Sequence, residues 1–313
     1  MRPPDFLVIG AMKSGTTTLH HDLCSNPAFC MSEKEASGLA DEQVLSSHGR
    51  RRYSQCYAHA DPQQCCGDVS TTYSMLPDIP KIPQRAKQIA PRLKIIYIVR
   101  EPVSRCISHH RHMCNWSGEG RMSPDINTEL LRTPSLISFS RYAFQLRPWI
   151  ETFGRENVHI IRFEDYVRDR RQTNDALCRF LGVQPRPNLV DPDVVLNQAE
   201  ERHVASGIWR PIVRSSVYRS LVRPLMSQSV RRHARHKFLD KAETRPTWPT
   251  RHSIEHIIDA VRDDVFRLQA LMSLNEPPWN FDDVRRKYAV DCLDVLPTTN
   301  GQGAGFTSHA QAE

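Results

Sequence analysis

Four apolar residues, Phe6, Leu7, Val8 and Ile9, run without a break into Gly10, and Thr16 then opens a helical stretch that ends at Asn26-Pro27. An uninterrupted apolar run of this length, closed by glycine, is the pattern of a strand buried on both faces, and such strands belong to parallel sheets covered by helices. The connection Gly10-Ala11-Met12-Lys13-Ser14-Gly15 therefore leads from a buried strand to a helix N-terminus. Free backbone N–H groups and the positive end of the helix dipole meet there, so the segment predicts an anion site, with phosphate the natural occupant.

A second unit repeats the pattern. Leu93, Lys94, Ile95, Ile96, Tyr97, Ile98 and Val99 stop at Arg100, and Pro102 sits where the first turn of a helix running to about residue 113 would begin. Strand followed by helix, twice, predicts an α/β fold with a central parallel sheet. Between the two units, residues 31–92 read as loop-rich, with a short strand at 65–69 and a helix at 83–89. Further on, the spacing predicts a helix over 138–153 stopped by Gly154, a strand at 158–161 and a helix over 172–181 closed by Gly182. Ile254, Ile257, Ile258, Val261, Val265, Leu268 and Leu271 form the stripe of an amphipathic helix. Residues 114–135, rich in Gly, Ser, Pro and Asn, read as a long exposed loop. Residues 183–250 are Pro- and Arg-rich and irregular, and 297–313 read as a disordered tail. One domain over 1–290 is the simplest organisation.

Composition narrows the partners. With 39% hydrophobic and 25% charged residues the chain can build a packed core, and its net charge of +7 favours an anionic partner. No apolar stretch reaches the roughly 18 residues needed to span a bilayer. A strand beginning at residue 6 leaves no space for a signal peptide, so a cytoplasmic location is expected. Nine scattered cysteines without a CxxC pair read as reduced thiols and supply no metal-ligand spacing. No recognition helix or aromatic RNA motif is present, so nucleic acid is not the expected partner.

The glycine loop is not an ordinary nucleotide triphosphate loop. Gly10 and Gly15 have GxxxxG spacing, yet Gly15 is followed by Thr16 and the lysine lies before it, at Lys13. Thr16, Thr17 and Thr18 bring three hydroxyls to the helix start, more than a cap requires. Where such enzymes close a buried strand with an Asp that helps hold Mg²⁺, this chain places Arg100. A cation in that position suits a nucleotide carrying extra negative charge and bound without metal.

These residues carry a resemblance. The run from Phe6 through Thr18 and Leu19 resembles the 5′-phosphosulfate loop of sulfotransferases that use 3′-phosphoadenosine 5′-phosphosulfate (PAPS). Arg100-Glu101-Pro102-Val103-Ser104-Arg105-Cys106-Ile107-Ser108 is similar to their 3′-phosphate motif, R-x-P-x-x-R-x-x-S. Weaker likeness runs through Tyr142, Trp149, Phe163-Glu164-Asp165 and Phe180-Leu181-Gly182. The resemblance implies a P-loop-like three-layer α/β/α fold with PAPS as co-substrate, adenosine 3′,5′-bisphosphate as product and no metal. It implies that Lys13 acts on the leaving phosphate oxygen, that Ser14, Gly15, Thr16, Thr17 and Thr18 hold the 5′-phosphate, and that Arg100 and Ser108 hold the 3′-phosphate. Lys34-Glu35 resembles the Lys-Glu pair of the glycan-acting branch, which makes Glu35 the candidate base and a small-molecule or glycan hydroxyl or amine the expected acceptor. Residues 68–73 resemble the G-E-K-S-P-x-Y segment of that branch, with Ser70 and Tyr73 as acceptor-side groups.

Several residues admit more than one reading. Arg105 could pair with a helix carboxylate or meet the ligand. His109 and His110 read as helix-surface or acceptor-side groups. The basic clusters at 50–52, 168–171 and 231–237 read as solvated faces, and the last could instead bind an acidic glycan or a membrane surface. Two other functions remain open: a Mg-ATP-dependent kinase on a related fold, and a catalytically inactive nucleotide-binding relative.

Overall fold

A computed structural model describes residues 2–116, 120–194 and 246–291, with two short strand pieces at 203–204 and 240–241. Strand β1 (Phe6–Val8) leads to helix α1 (Thr16–Ser25), then β2 (Phe29–Met31), α2 (Ser47–Gln55) and β3 (Cys65–Val69). Next come α3 (Ile82–Ile89), β4 (Lys94–Val99), α4 (Pro102–Cys114), α5 (Ile126–Arg132), α6 (Ser135–Ser138) and α7 (Tyr142–Phe153). Strand β5 (Val158–Arg162), α8 (Phe163–Arg168), α9 (Arg170–Leu181), α10 (Arg251–Leu271) and α11 (Phe281–Asp291) complete the described elements.

The five strands lie in the order β2-β3-β1-β4-β5, and every neighbouring pair is parallel. Alternation along each strand sends side chains to opposite faces. Phe6, Val8, Ile96 and Ile98 pack on one side with Leu19 and Leu23 of α1, Tyr166 of α8 and Leu177 of α9. Leu7, Ile9, Ile95, Tyr97 and Val99 pack on the other with residues of α4, α7 and α10, among them Val103, Leu146 and Ile258. The sheet is thus the middle of three layers, as the unbroken apolar runs of β1 and β4 require.

Helix ends follow local chemistry. The Glu101 side chain caps α4, accepting from the N–H groups of Val103 and Ser104 at 2.6 and 2.8 Å. Pro102 lies in the first turn of the same helix, where no N–H is needed. Gly182 closes α9 in the left-handed conformation, and Thr250 caps α10 through the N–H of Ser253.

The structure departs from the sequence reading in several places. Residues 114–135 are not one exposed loop: Asp125 caps α5, whose Ile126 and Leu130 are buried in the core. The stretch 31–92 gains α2 and, at its start, β2, which extends the sheet beyond β3. The predicted helix over 138–153 is shorter, starting at Tyr142 after the separate turn of α6. Most of 183–250, the basic cluster at 231–237 and the tail at 297–313 lie outside the described residues.

The cluster at 168–171 is solvated only in part: Arg168 and Arg171 are exposed, and Arg170 is not. Arg170 and Asp22 are both buried and form an ion pair, with the Tyr166 hydroxyl donating to Asp22 at 2.6 Å and Asn174 Nδ2 at 3.2 Å. This network fastens α1, the helix that begins at the glycine loop, to α8 and α9. By contrast, Arg168 is exposed and pairs with Asp165, and Arg52 pairs with Asp41.

Candidate functional site

Strands β3, β1 and β4 are consecutive neighbours in a parallel sheet, so their carboxyl ends open onto one edge. From β1 comes the glycine loop, from β4 comes Arg100, and the Glu35 segment is joined to the end of β3. Ligands of open α/β sheets bind at such an edge, outside the carboxyl ends of the strands.

The loop is held by its neighbours. Ile9 N–H donates to Ile96 O, Ala11 N–H to Ile98 O at 2.7 Å, and Ile98 N–H to Gly10 O at 2.9 Å. Gly10 (φ 141°) and Gly15 (φ 86°) occupy conformations that favour glycine, and a Cβ on Gly15 would lie 2.8 Å from the Phe163 ring. Gly15 is the N-cap of α1 and no side chain caps that end. Lys13 also has positive φ, at 70°. Ser14 is fully buried, and its Oγ has no hydrogen-bond partner among the described residues. A buried hydroxyl without a partner is costly in a finished structure, and an anion seated on the helix N-terminus would supply the missing acceptor. Thr16 and Thr18 are buried and Thr17 is half-buried at the same end.

Arg100 joins the second motif to the first. Its Nη1–H donates to the main-chain O of Lys13 at 3.0 Å, and its guanidinium lies over the Phe163 ring, 4.8 Å from the centroid. The Tyr142 hydroxyl donates to Arg100 O at 2.6 Å, which gives that sequence landmark its physical role. Ser108 is half-buried on α4, one turn beyond Ser104. At the start of α4, Lys287 Nζ donates to Ser104 Oγ at 3.1 Å and Tyr288 OH lies 2.8 Å from it, so α11 braces the second motif. Nothing in the sequence reading anticipated α11.

Arg105 does not pair with a helix carboxylate. It is fully buried, and its guanidinium donates to Ser140 Oγ and Leu136 O and contacts His109 Nδ1 at 3.4 Å. No carboxylate pairs with it among the described residues. His109 and His110 are not on the surface either: both are buried, and His109 stacks on Phe139. Burial, with the neighbouring Arg105 charge second, pushes the His109 imidazole down to about 2, so it stays neutral beside the arginine.

Across the crevice, Glu35 is set on the end of β3. Its N–H donates to Val69 O at 2.9 Å, and its carboxylate accepts from Thr71 N–H at 2.8 Å and Thr71 Oγ1 at 3.1 Å. Lys34 Nζ forms a close ion pair with the same carboxylate. The Glu35 side chain remains 38% exposed, so an incoming group can reach it. Sequence pattern alone does not reveal Thr71 as its holder, because the two are 36 residues apart. Ser70 and Tyr73, read as acceptor-side groups, are buried, and both hydroxyls bond to Asp68. Burial raises the Asp68 carboxyl from its ordinary value, opposed by the hydroxyls of Tyr73, Ser70 and Tyr53.

Among the described residues no group of His, Cys, Asp and Glu forms a metal cluster, no helix is long and apolar enough to cross a membrane, and all eight cysteines have free thiols.

Known proteins are similar to this chain in sequence and in fold. The chain is 25% identical over 202 residues to the mouse bifunctional heparan sulfate N-deacetylase/N-sulfotransferase 4, covering 59% of this chain and 23% of that one. It is 23% identical over 192 residues to the mouse heparan sulfate glucosamine 3-O-sulfotransferase 5, covering 58% and 54%. The chain therefore spans between about a quarter and a half of the length of these curated relatives. In fold it is similar to a sulfotransferase from Alicyclobacillus acidocaldarius, with a TM-score of 0.59 at 20% identity, over 91% of this chain and 100% of that one. The Sulfotransferase domain profile matches residues 3–202, a span that takes in the glycine loop, Glu35, Arg100 and the whole five-stranded sheet, and the chain belongs to that family.

Proposed function

We propose that this chain transfers a sulfuryl group from PAPS to a hydroxyl or amine of a carbohydrate or glycosylated metabolite, releasing adenosine 3′,5′-bisphosphate. The observation that carries the reading is the hydrogen bond from Arg100 to the glycine loop at Lys13, which supports assigning both segments to one nucleotide. The unpartnered Ser14 Oγ and the uncapped start of α1 support an anion on the loop.

In this reading the N–H groups of Gly15, Thr16, Thr17 and Thr18, with the hydroxyls of Ser14 and the threonines, hold the 5′-phosphate. Arg100 and Ser108 hold the 3′-phosphate, a task for which the planar guanidinium suits two oxygens at once. Glu35 accepts the acceptor's proton as its oxygen or nitrogen bonds to sulfur. The bond from sulfur to the 5′-phosphate oxygen breaks in the same displacement, and the Lys13 ammonium stabilises the charge that grows on that oxygen. A carbohydrate acceptor is supported by the Lys34-Glu35 pair and by relatives named for heparan sulfate.

Calorimetric titration with adenosine 3′,5′-bisphosphate beside ADP, both without metal, tests the proposal. Micromolar binding that needs the 3′-phosphate and is lost in Arg100→Ala supports it. Equal binding of the two nucleotides, or none, overturns it.

A further inference from the structure

The segment that carries Glu35 is not regular secondary structure, yet it holds an unusual backbone. Glu35 (φ 62°) and Ser37 (φ 52°) both lie in the left-handed region without being glycine. Side chains other than glycine stay there only when their surroundings fix them. Glu35 is held by Val69 O and Thr71, and the residues that follow it by a set of hydrogen bonds that converges on one buried carboxylate.

Asp68 is fully buried at the end of β3. Its Oδ1 accepts from Ser70 Oγ at 2.7 Å, and its Oδ2 from Tyr73 OH at 2.6 Å and Tyr53 OH at 2.8 Å. Two of these hydroxyls also accept. Ser37 N–H donates to Ser70 Oγ at 2.9 Å, and Leu39 N–H donates to Tyr73 OH at 3.3 Å. A backbone N–H can only donate, so each hydroxyl must turn its own hydrogen toward Asp68, and an ionised carboxylate, which only accepts, receives both. The direction of each relay is therefore set: amide to hydroxyl to carboxylate.

We infer that Asp68 is a positioning residue, whose carboxylate fixes the backbone on which Glu35 is presented to the crevice. The inference deepens the sulfotransferase reading and rests on it for the role of Glu35. Asp68 itself touches no substrate, since its oxygens are enclosed by Ser70, Tyr73 and Tyr53. The remaining anchors of the segment, from Glu35 N–H to Val69 O and from Thr71 to the Glu35 carboxylate, complete the clamp on the same strand end.

Asp68→Asn is the discriminating variant, because it keeps the size of the side chain and replaces one acceptor by a donor. An amide NH₂ must face either Ser70 or the tyrosine pair, and the hydroxyl it faces loses the acceptor for its own hydrogen, so that relay no longer ends on a charge and holds its backbone N–H less firmly. Amide hydrogen exchange in the full chain should then rise about tenfold or more at Ser37 or Leu39, while the glycine loop and α4 keep their wild-type rates. Ser70→Ala should free Ser37 alone and Tyr73→Phe should free Leu39 alone, which keeps the test open if Asp68→Asn folds poorly. Affinity for adenosine 3′,5′-bisphosphate should stay within about twofold of wild type, as Asp68 acts on the acceptor side.

Transfer from ³⁵S-labelled PAPS to N-desulfated heparin supplies the catalytic readout. Asp68→Asn should lower kcat with little change in KM for PAPS, and should cost nothing further in a chain already carrying Glu35→Gln. Exchange that rises evenly across the sheet, exchange that does not change, or losses that add in the double variant would each overturn the positioning role. Failure of the wild type to bind adenosine 3′,5′-bisphosphate would instead sink the sulfotransferase reading, and the exchange data would still decide whether Asp68 holds the segment.

Discussion

The guanidinium of Arg100 donates to the main-chain carbonyl of Lys13, so the end of β4 steadies the loop that leaves β1. In the proposed function the same residue also binds the 3′-phosphate. Replacing it with alanine should weaken binding of adenosine 3′,5′-bisphosphate by about 1.5–3 kcal/mol, the loss expected for hydrogen bonds to a charged group. Arg100→Lys should not restore it, because an ammonium cannot hold the loop carbonyl and a phosphate in one planar fork. Calorimetry on the two variants beside wild type checks both statements.

Gly15 should not accept a side chain. Its φ of 86° disfavours any L-residue, and a Cβ would press on the Phe163 ring, which in turn lies against Arg100. Gly15→Ala should cost about 1–3 kcal/mol of stability. Adding Phe163→Ala would remove the collision and leave the backbone strain. Chemical denaturation should therefore show a partial recovery at most.

The ion pair between Asp22 and Arg170 is buried, and the two partners are not equivalent in what their loss leaves behind. Arg170→Met abandons a carboxylate inside the protein and should destabilise by about 3–5 kcal/mol. The double variant Asp22→Asn with Arg170→Met should be less damaged than Arg170→Met alone, because no unpaired charge remains. Urea midpoints for the single and double variants would reveal the order.

How far this architecture could be read from the chain depends on whether its determinants are local. The strands β1 and β4 were legible because four consecutive apolar residues closed by Gly10, and a seven-residue run interrupted only by Lys94 and closed by Arg100, leave few alternatives. The start of α4 was legible from Pro102, and α10 from its long apolar stripe. Helix α2 was not, since its buried residues are only Gly49 and Tyr53 and the rest is dominated by Arg50, Arg51 and Arg52. Helix α5 hid behind its Gly-, Pro- and Ser-rich approach, and its two core contacts are too few to make a period. Within the site, Lys13, Ser14 and Arg100 could be assigned to a common crevice from strand order alone. The burial of Arg105, His109, Ser70 and Tyr73 could not, because each depends on partners packed from elsewhere in the fold, such as Ser140, Phe139 and Asp68.

Asp125 makes one part of the fold acid-sensitive. Its carboxylate accepts from Thr128, Asn127 and Thr247, which ties α5 to the segment before α10. These bonds, that from Thr128 foremost, lower it from an ordinary 3.8 to about 2. A carboxylate with a depressed folded value contributes its full stability above the unfolded value and loses it as pH falls through the folded one. The stability gap between wild type and Asp125→Asn should therefore be constant above about pH 4 and close toward pH 2. Thermal melts of the two proteins across that interval would measure it.

The central place of β1 also governs how the protein comes into being. Val8 pairs with Val69 on one side and Ile96 on the other, partners that follow it by about 60 and 90 residues. Closing loops of that length before any pairing reward is gained makes parallel sheets slow to nucleate. The glycine loop is synthesised before β4, yet it has no rigid seat until β4 has been made. Binding competence should thus arrive late and all at once during synthesis, and fragments ending before residue 100 should fail to hold the nucleotide however intact their loop sequence.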